Sequence, residues 1–170
     1  MREVMTRGLM AALPSVTVTL IATAGACTSE SGGSPANLAA RDFDGEDCAA
    51  CGMIVREQTS PRGQVVHRDG ARVYFCAIAD MLAYLAAPSP HGEPAAIHVE
   101  ALDPDVADPL ALDTAKRPWV RAESASYVTG ITRARVMGEP VLVYARRADA
   151  DRIATRLGAQ VKDWAALKRR

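Results

Sequence analysis

The sequence predicts an α+β fold: two small ββαβ units packed together, after an N-terminal signal and a flexible tether. Three observations predict it. Two segments share the order strand, strand, helix, strand. Each helix places apolar residues at i, i+3, i+4 and i+7, the period of a helix with one buried face. The stretches between them are rich in Pro and Asp and read as surface loops.

The elements follow in chain order. Arg2 and Arg7 precede the apolar stretch GLMAALPSVTVTLIATAGA, which ends in small residues. That pattern is a secretory signal over residues 1–26. Ala24, Gly25 and Ala26 stand directly before Cys27. Small residues before a cysteine resemble the lipobox of bacterial lipoproteins, although Ala24 stands where that box usually has Leu. Cys27 is then the expected lipidation site, and several acyl chains on one residue give a stable membrane anchor. Residues 27–46, rich in Ser, Gly and acidic side chains, read as a flexible tether.

The first ββαβ unit is expected over 47–102. Asp69-Gly70 is a two-residue hairpin signal between two extended runs. Ile78, Met81, Leu82 and Leu85 then mark a helix, which Pro88 stops, and AIHVEAL reads as a strand. A linker is expected over 103–117. The second unit, 118–170, starts with ASYVTG and PVLVYA as strands. Its helix carries Ala150, Ile153, Ala154 and Leu157, with Gly158 as a C-terminal cap and AQVKDW as the last strand.

Composition narrows the function. Twenty basic residues balance twenty acidic ones, so the broad basic footprint of a nucleic-acid-binding protein is absent. Aromatic residues make up only 5%, so the core must come mostly from Val, Leu, Ile and Ala. Beyond Cys27 the thiols are Cys48, Cys51 and Cys76. An odd count argues against a fully paired disulfide scaffold.

Cys48 and Cys51 lie in DCAACGMIV, which admits three chemistries. A thioredoxin-like C-x-x-C follows a strand and opens a helix, whose N-terminus lowers the thiol pKa. Here the motif follows a glycine-containing acidic tether and leads into a turn, the wrong context. C-x-x-C-G also begins many zinc knuckles, but structural zinc wants four donors and there is no second C-x-x-C. Cys76 is a candidate third zinc ligand, with His67, His98 or Asp80 as the fourth. Met53 opens the third chemistry. Its thioether adds little for zinc, whereas soft Cu(I) accepts thiolate and thioether together. The default reading of Met53 is a core residue, and that of Cys76 a buried apolar cysteine.

CAACGMIV, PRGQVV, VYFCAIADMLAYL, WVRAESASYV, VMGEP and ADADRIATRLGAQV together resemble the NosL family, over roughly residues 44–165. These are copper-binding lipoproteins encoded with nitrous oxide reductase, with a fold similar to parts of organomercurial lyase. The resemblance implies a periplasmic, lipid-anchored copper chaperone. It would carry Cu(I) to the maturation of the nitrous oxide reductase copper sites through a membrane-associated partner complex. Carried over by position, the metal site is built around Cys48, Cys51 and Met53, with Cys76 and Met137 as further candidates and zinc as a companion metal. The chain is expected to be a monomer without enzyme activity.

Overall fold

A computed structural model describes residues 38–132 and 139–169. The signal, Cys27, the first part of the tether and Met137 lie outside the described residues.

The chain is a mixed α and β protein, as the sequence predicts. In the first sheet, β1 (Gly63–His67), β2 (Arg72–Phe75), β3 (Pro94–Glu100) and β4 (Trp119–Arg121) run in the order β2-β1-β3-β4. In the second, β5 (Ser126–Thr129), β6 (Leu142–Tyr144) and β7 (Gln160–Lys162) run in the order β6-β5-β7. All pairings are antiparallel. The helix α1 (Ile78–Leu85) connects β2 to β3, and α2 (Arg147–Leu157) connects β6 to β7; α3 (Trp164–Lys168) follows. The strand, strand, helix, strand order thus occurs twice. In each copy the first strand is central, flanked by the second and third. β4 pairs with β3 and gives the first sheet a fourth strand.

The β1–β2 loop is one residue longer than a two-residue hairpin. It spans 68–70 and closes through His67 N–H to Ala71 O at 2.8 Å, while Asp69 Oδ1 accepts the Ala71 N–H at 2.9 Å. The short side chain of Asp69 thus replaces one ladder bond with its own.

Hydrophobic periodicity becomes packing. Ile78 and Met81 are buried, and Leu82 and Leu85 pack against the same cluster. Gly63 allows α1 to approach β1, because a Cβ there would meet Met81 Sδ at 2.6 Å. The main core joins Val65, Phe75 and Val99 of the first sheet to Tyr127 and Val143 of the second. The other face of the second sheet, Val128, Leu142 and Tyr144, packs on Ala150, Ile153 and Ala154 of α2. Gly158 caps α2 in the left-handed region at φ 62°, as expected.

A buried ion pair ties the loops to the first sheet. Arg62 is bidentate to Glu100, with Nε–Oε2 at 2.6 Å and Nη2–Oε1 at 2.9 Å, and both side chains are fully buried. Arg62 also donates to the carbonyls of Arg56, Thr114 and Ala115 and lies 4.4 Å over the Phe43 ring. Arg117 Nη1 stands 3.5 Å from Glu100 Oε2, an ion-pair distance without hydrogen-bond geometry, so its stabilising contribution is Coulombic. One guanidinium therefore joins the segment before β1, the end of β3 and the 103–117 linker. A buried pair adds little net stability, but breaking it leaves Glu100 without its bidentate partner, held by the weaker Arg117 contact. Arg62→Met should lower the unfolding free energy by about 3–5 kcal/mol in a denaturant titration. A loss below about 1 kcal/mol would show that Glu100 finds water or another donor.

The opposite face of the first sheet carries Tyr74, Gln64, His98 and Arg121 in one cross-strand row. The Gln64 carboxamide bonds both backbone groups of Arg41, so residues 38–43 lie over this face. His98 is buried there with Nδ1 unpartnered. Burial first, then the charges of Arg121 and Arg72, push its pKa down to about 4. The folded state keeps His98 neutral where the unfolded chain takes a proton. Its contribution is therefore complete above about pH 6.5 and is lost as pH falls toward 4. His98→Leu should remove a pH-dependent loss of up to ~3 kcal/mol across that window, read as a flatter profile of urea midpoint against pH.

Candidate metal centre

Residues 47–54 form a tight turn that closes on itself and docks on an open strand edge. Asp47 and Ile54 make a β-bridge, Cys48 N–H donates to Met53 O at 2.8 Å, and Gly52 N–H donates to Cys48 O at 2.8 Å. Gly52 sits at φ 73°, a conformation that a side chain at this point of the turn would strain. The turn binds the free edge of β2 through Ala49 N–H to Tyr74 O at 2.9 Å, and Cys48 bridges Tyr74.

That docking brings the turn to the junction of β2 and α1. Cys76 follows β2, and Asp80 lies in the first turn of α1, four residues on. Ligand atoms of Cys48, Cys51, Cys76 and Asp80 all lie within 4.8 Å of one another. Cys51 Sγ is 3.5 Å from Cys76 Sγ, and Cys76 Sγ is 3.0 Å from Asp80 Oδ2. Cys48 Sγ stands 3.9 Å from the same oxygen and accepts the Cys76 N–H at 3.4 Å. Cys48 and Cys76 are buried, at 2% and 4% exposure, and Cys51 is exposed.

The thiols are electrostatically unequal. Burial alone would raise the Cys48 pKa. The N–H groups of Cys76, Ala50 and Cys51 pointing at its sulfur outweigh burial, and the net shift is downward. This is the inward-facing amide arrangement of a metal knuckle. Cys76 goes the other way. Burial raises its pKa strongly, and its hydrogen bond to Asp80 and the neighbouring sulfurs of Cys51 and Cys48 raise it further. Cys48 is thus poised toward thiolate, while Cys76 holds its proton against the Asp80 carboxylate.

Residues 42–170 match the NosL family profile. The chain belongs to the NosL family. It is similar to the copper-binding lipoprotein NosL of Stutzerimonas stutzeri, with 29% identity over 126 residues, 69% of this chain and 60% of that protein. The chain therefore spans less than two thirds of that relative's length. The crystal structure of the copper chaperone NosL from Shewanella denitrificans has the same fold. Its TM-score is 0.60 at 20% identity, over 75% of this chain and 94% of that one. The solution structure of apo-NosL from Achromobacter cycloclastes aligns with a TM-score of 0.45 at 25% identity, covering 61% and 82%. Among the described residues no helix is long and apolar enough to cross a membrane.

Three of the residues expected at the site, Cys48, Cys51 and Cys76, meet, and Asp80 is the candidate fourth ligand that joins them. His67 and His98 do not join them. His67 Nδ1 donates to Gly92 O at 2.9 Å, and Nε2 is hydrogen-bonded with Tyr84 Oη at 2.9 Å. Its ring is fully used in the fold. Met53 is 39% exposed on the same turn as the cysteines and is not a core residue. The C-x-x-x-D spacing, which sets Asp80 in the first turn of the helix that starts just after Cys76, is the signal that could have ranked Asp80 first.

Cys51 should react first with iodoacetamide in the folded, metal-free chain, and Cys76 last. Peptide mapping after partial alkylation reads the order. Equal rates at Cys51 and Cys76 would contradict the burial and the Asp80 hydrogen bond described above.

Proposed function

We propose that this NosL-family chain is an extracytoplasmic Cu(I)-binding lipoprotein, anchored through Cys27, that delivers copper for maturation of the nitrous oxide reductase copper sites. Three thiols from two distant segments gathered at one point carry the reading. A set of sulfurs is the donor chemistry Cu(I) prefers. The name of the Stutzerimonas relative supports copper and lipidation. A partner complex in the membrane or periplasm receives the cargo.

The differing exposures suggest how the cargo moves. Cys48 and Cys76 hold copper from the buried side, and Cys51 closes the site from the turn. A partner's sulfur or imidazole approaches at Cys51, shares the ion, and draws it off as the turn ligand leaves. Met53, exposed beside Cys51, supplies a thioether on the entry side, and Met137 is a further soft donor. Copper then passes through shared-ligand states and never through free ion, and no covalent bond of a substrate is broken.

Asp80 favours a second reading. A carboxylate is a hard donor, and Cys3Asp suits tetrahedral zinc. Competition against a Cu(I)-specific chelator and, separately, a zinc chelator distinguishes the two. Cu(I) should bind at one per chain, and Cys48→Ser or Cys76→Ser should weaken it by more than ~100-fold, beyond what an outer-sphere change costs. Asp80→Asn should weaken zinc far more than Cu(I). Tight zinc with Cu(I) readily stripped by a mild chelator would sink the copper reading.

The thiol shifts fix the pH dependence. Cys76 is still protonated at neutral pH, so the metal must displace its proton. Cu(I) affinity should rise about tenfold per pH unit from this proton alone. A flat profile between pH 6 and 8 would mean that Cys76 is not a ligand.

A further inference from the structure

We propose that Cys51 and Cys76 form a redox pair, so that a disulfide between them closes the metal site of the empty chain and its reduction reopens the site. The inference rests on the Cu(I) reading above and adds a regulation to that site.

Geometry singles out this pair. The two sulfurs are 3.5 Å apart, already in contact. A disulfide needs about 2.05 Å, so the sulfurs must close by roughly 1.5 Å. Cys51 can supply that movement. It sits on the exposed turn, and the neighbouring Gly52 has no heavy atom within 4 Å of the place a Cβ would take. Cys48 is held instead. It is buried, and its sulfur receives the Cys76 N–H at 3.4 Å. A thioredoxin-like C-x-x-C exposes its first cysteine to attack a partner disulfide; here the first is buried and the second exposed. The C-x-x-C spacing therefore does not define the redox couple, and the exposed thiol pairs across to the strand end.

The chemistry is thiol–disulfide exchange with a small or protein disulfide as oxidant. Cys51 sulfur, having lost its proton to solvent, attacks one sulfur of the oxidant and forms a mixed disulfide. The other oxidant sulfur leaves and takes up a proton. Cys76 sulfur, its proton passed to the Asp80 carboxylate that accepts its hydrogen bond at 3.0 Å, then attacks Cys51 sulfur and expels the second oxidant sulfur, which takes up a proton. Two protein thiols are oxidised and one oxidant disulfide is reduced to two thiols. Of the clustered donors only Cys48 and Asp80 remain, one thiol beside a hard carboxylate, and even with the Met53 and Met137 thioethers the site has lost two of its three thiols, which weakens its hold on Cu(I). A bound metal, holding both sulfurs, blocks the exchange.

The test uses the full metal-free chain and oxidised glutathione. Tandem mass spectrometry of the non-reduced digest should find a Cys51–Cys76 link, present also in Cys48→Ser and absent in Cys51→Ser. Chelator competition should show Cu(I) affinity lowered by more than ~100-fold on oxidation, more than an outer-sphere change costs, and restored by a phosphine reductant. Prior loading with Cu(I) should prevent the link. A Cys48–Cys51 link, or glutathione left on Cys51 with Cys76 still free, would overturn the proposal. If the link forms while the reduced chain takes up no Cu(I), the redox pair stands and the copper reading falls.

Discussion

The docking of the 47–54 turn on the edge of β2 is the contact on which the candidate site depends. β2 is the outer strand of the first sheet, and its free edge would otherwise offer unpaired backbone groups. One backbone hydrogen bond from Ala49 to Tyr74 and the Cys48–Tyr74 bridge occupy that edge. The same contact sets Cys48 and Cys51 beside Cys76, so covering a strand edge and assembling the thiol cluster are one event. Neither segment holds enough donors alone.

The rest of the fold keeps that edge and the start of α1 in register. Gly63 lets Met81 lie against β1, which sets the height of the helix carrying Asp80. Arg62 and Glu100 lock the chain just before β1 to the end of β3. The pair buries two full charges, and the carbonyls of Arg56, Thr114 and Ala115 satisfy the remaining guanidinium donors. Such a network is costly to break and adds little when made, which suits a device that specifies one arrangement of loops. Phe43, stacked under Arg62 and packed edge-on to Trp119, extends the lock to the chain entering the cysteine turn.

The helices were legible in the sequence because their apolar spacing reports one buried face, and Gly158 because only glycine readily takes its conformation. The paired strand, strand, helix, strand order was legible for the same reason. The partner of β4 was not, because a three-residue strand carries no pattern that names its neighbour. The Arg62–Glu100 pair was hidden as well: 38 positions separate two charged residues that composition treats as surface. At the site, the cysteines announced themselves by type, and Cys76 by its place at a strand end. Asp80 was one of several candidate fourth donors, and only the helix starting at Ile78 selects it over His67 and His98. Those two histidines illustrate the limit. One is consumed by a hydrogen-bonded chain to Gly92 and Tyr84, and the other is buried on the far face of the sheet, facts set by tertiary contacts alone.

The cluster is graded from a buried, thiolate-leaning Cys48 to an exposed Cys51, with Cys76 holding a proton between them. The grading suits a site that grips from one side and exchanges from the other. X-ray absorption at the copper edge of the reduced, Cu(I)-loaded chain tests this most directly. The account predicts a first shell of sulfur alone, losing one sulfur in Cys76→Ser. A first shell dominated by nitrogen or oxygen, or one unchanged in that variant, would contradict it.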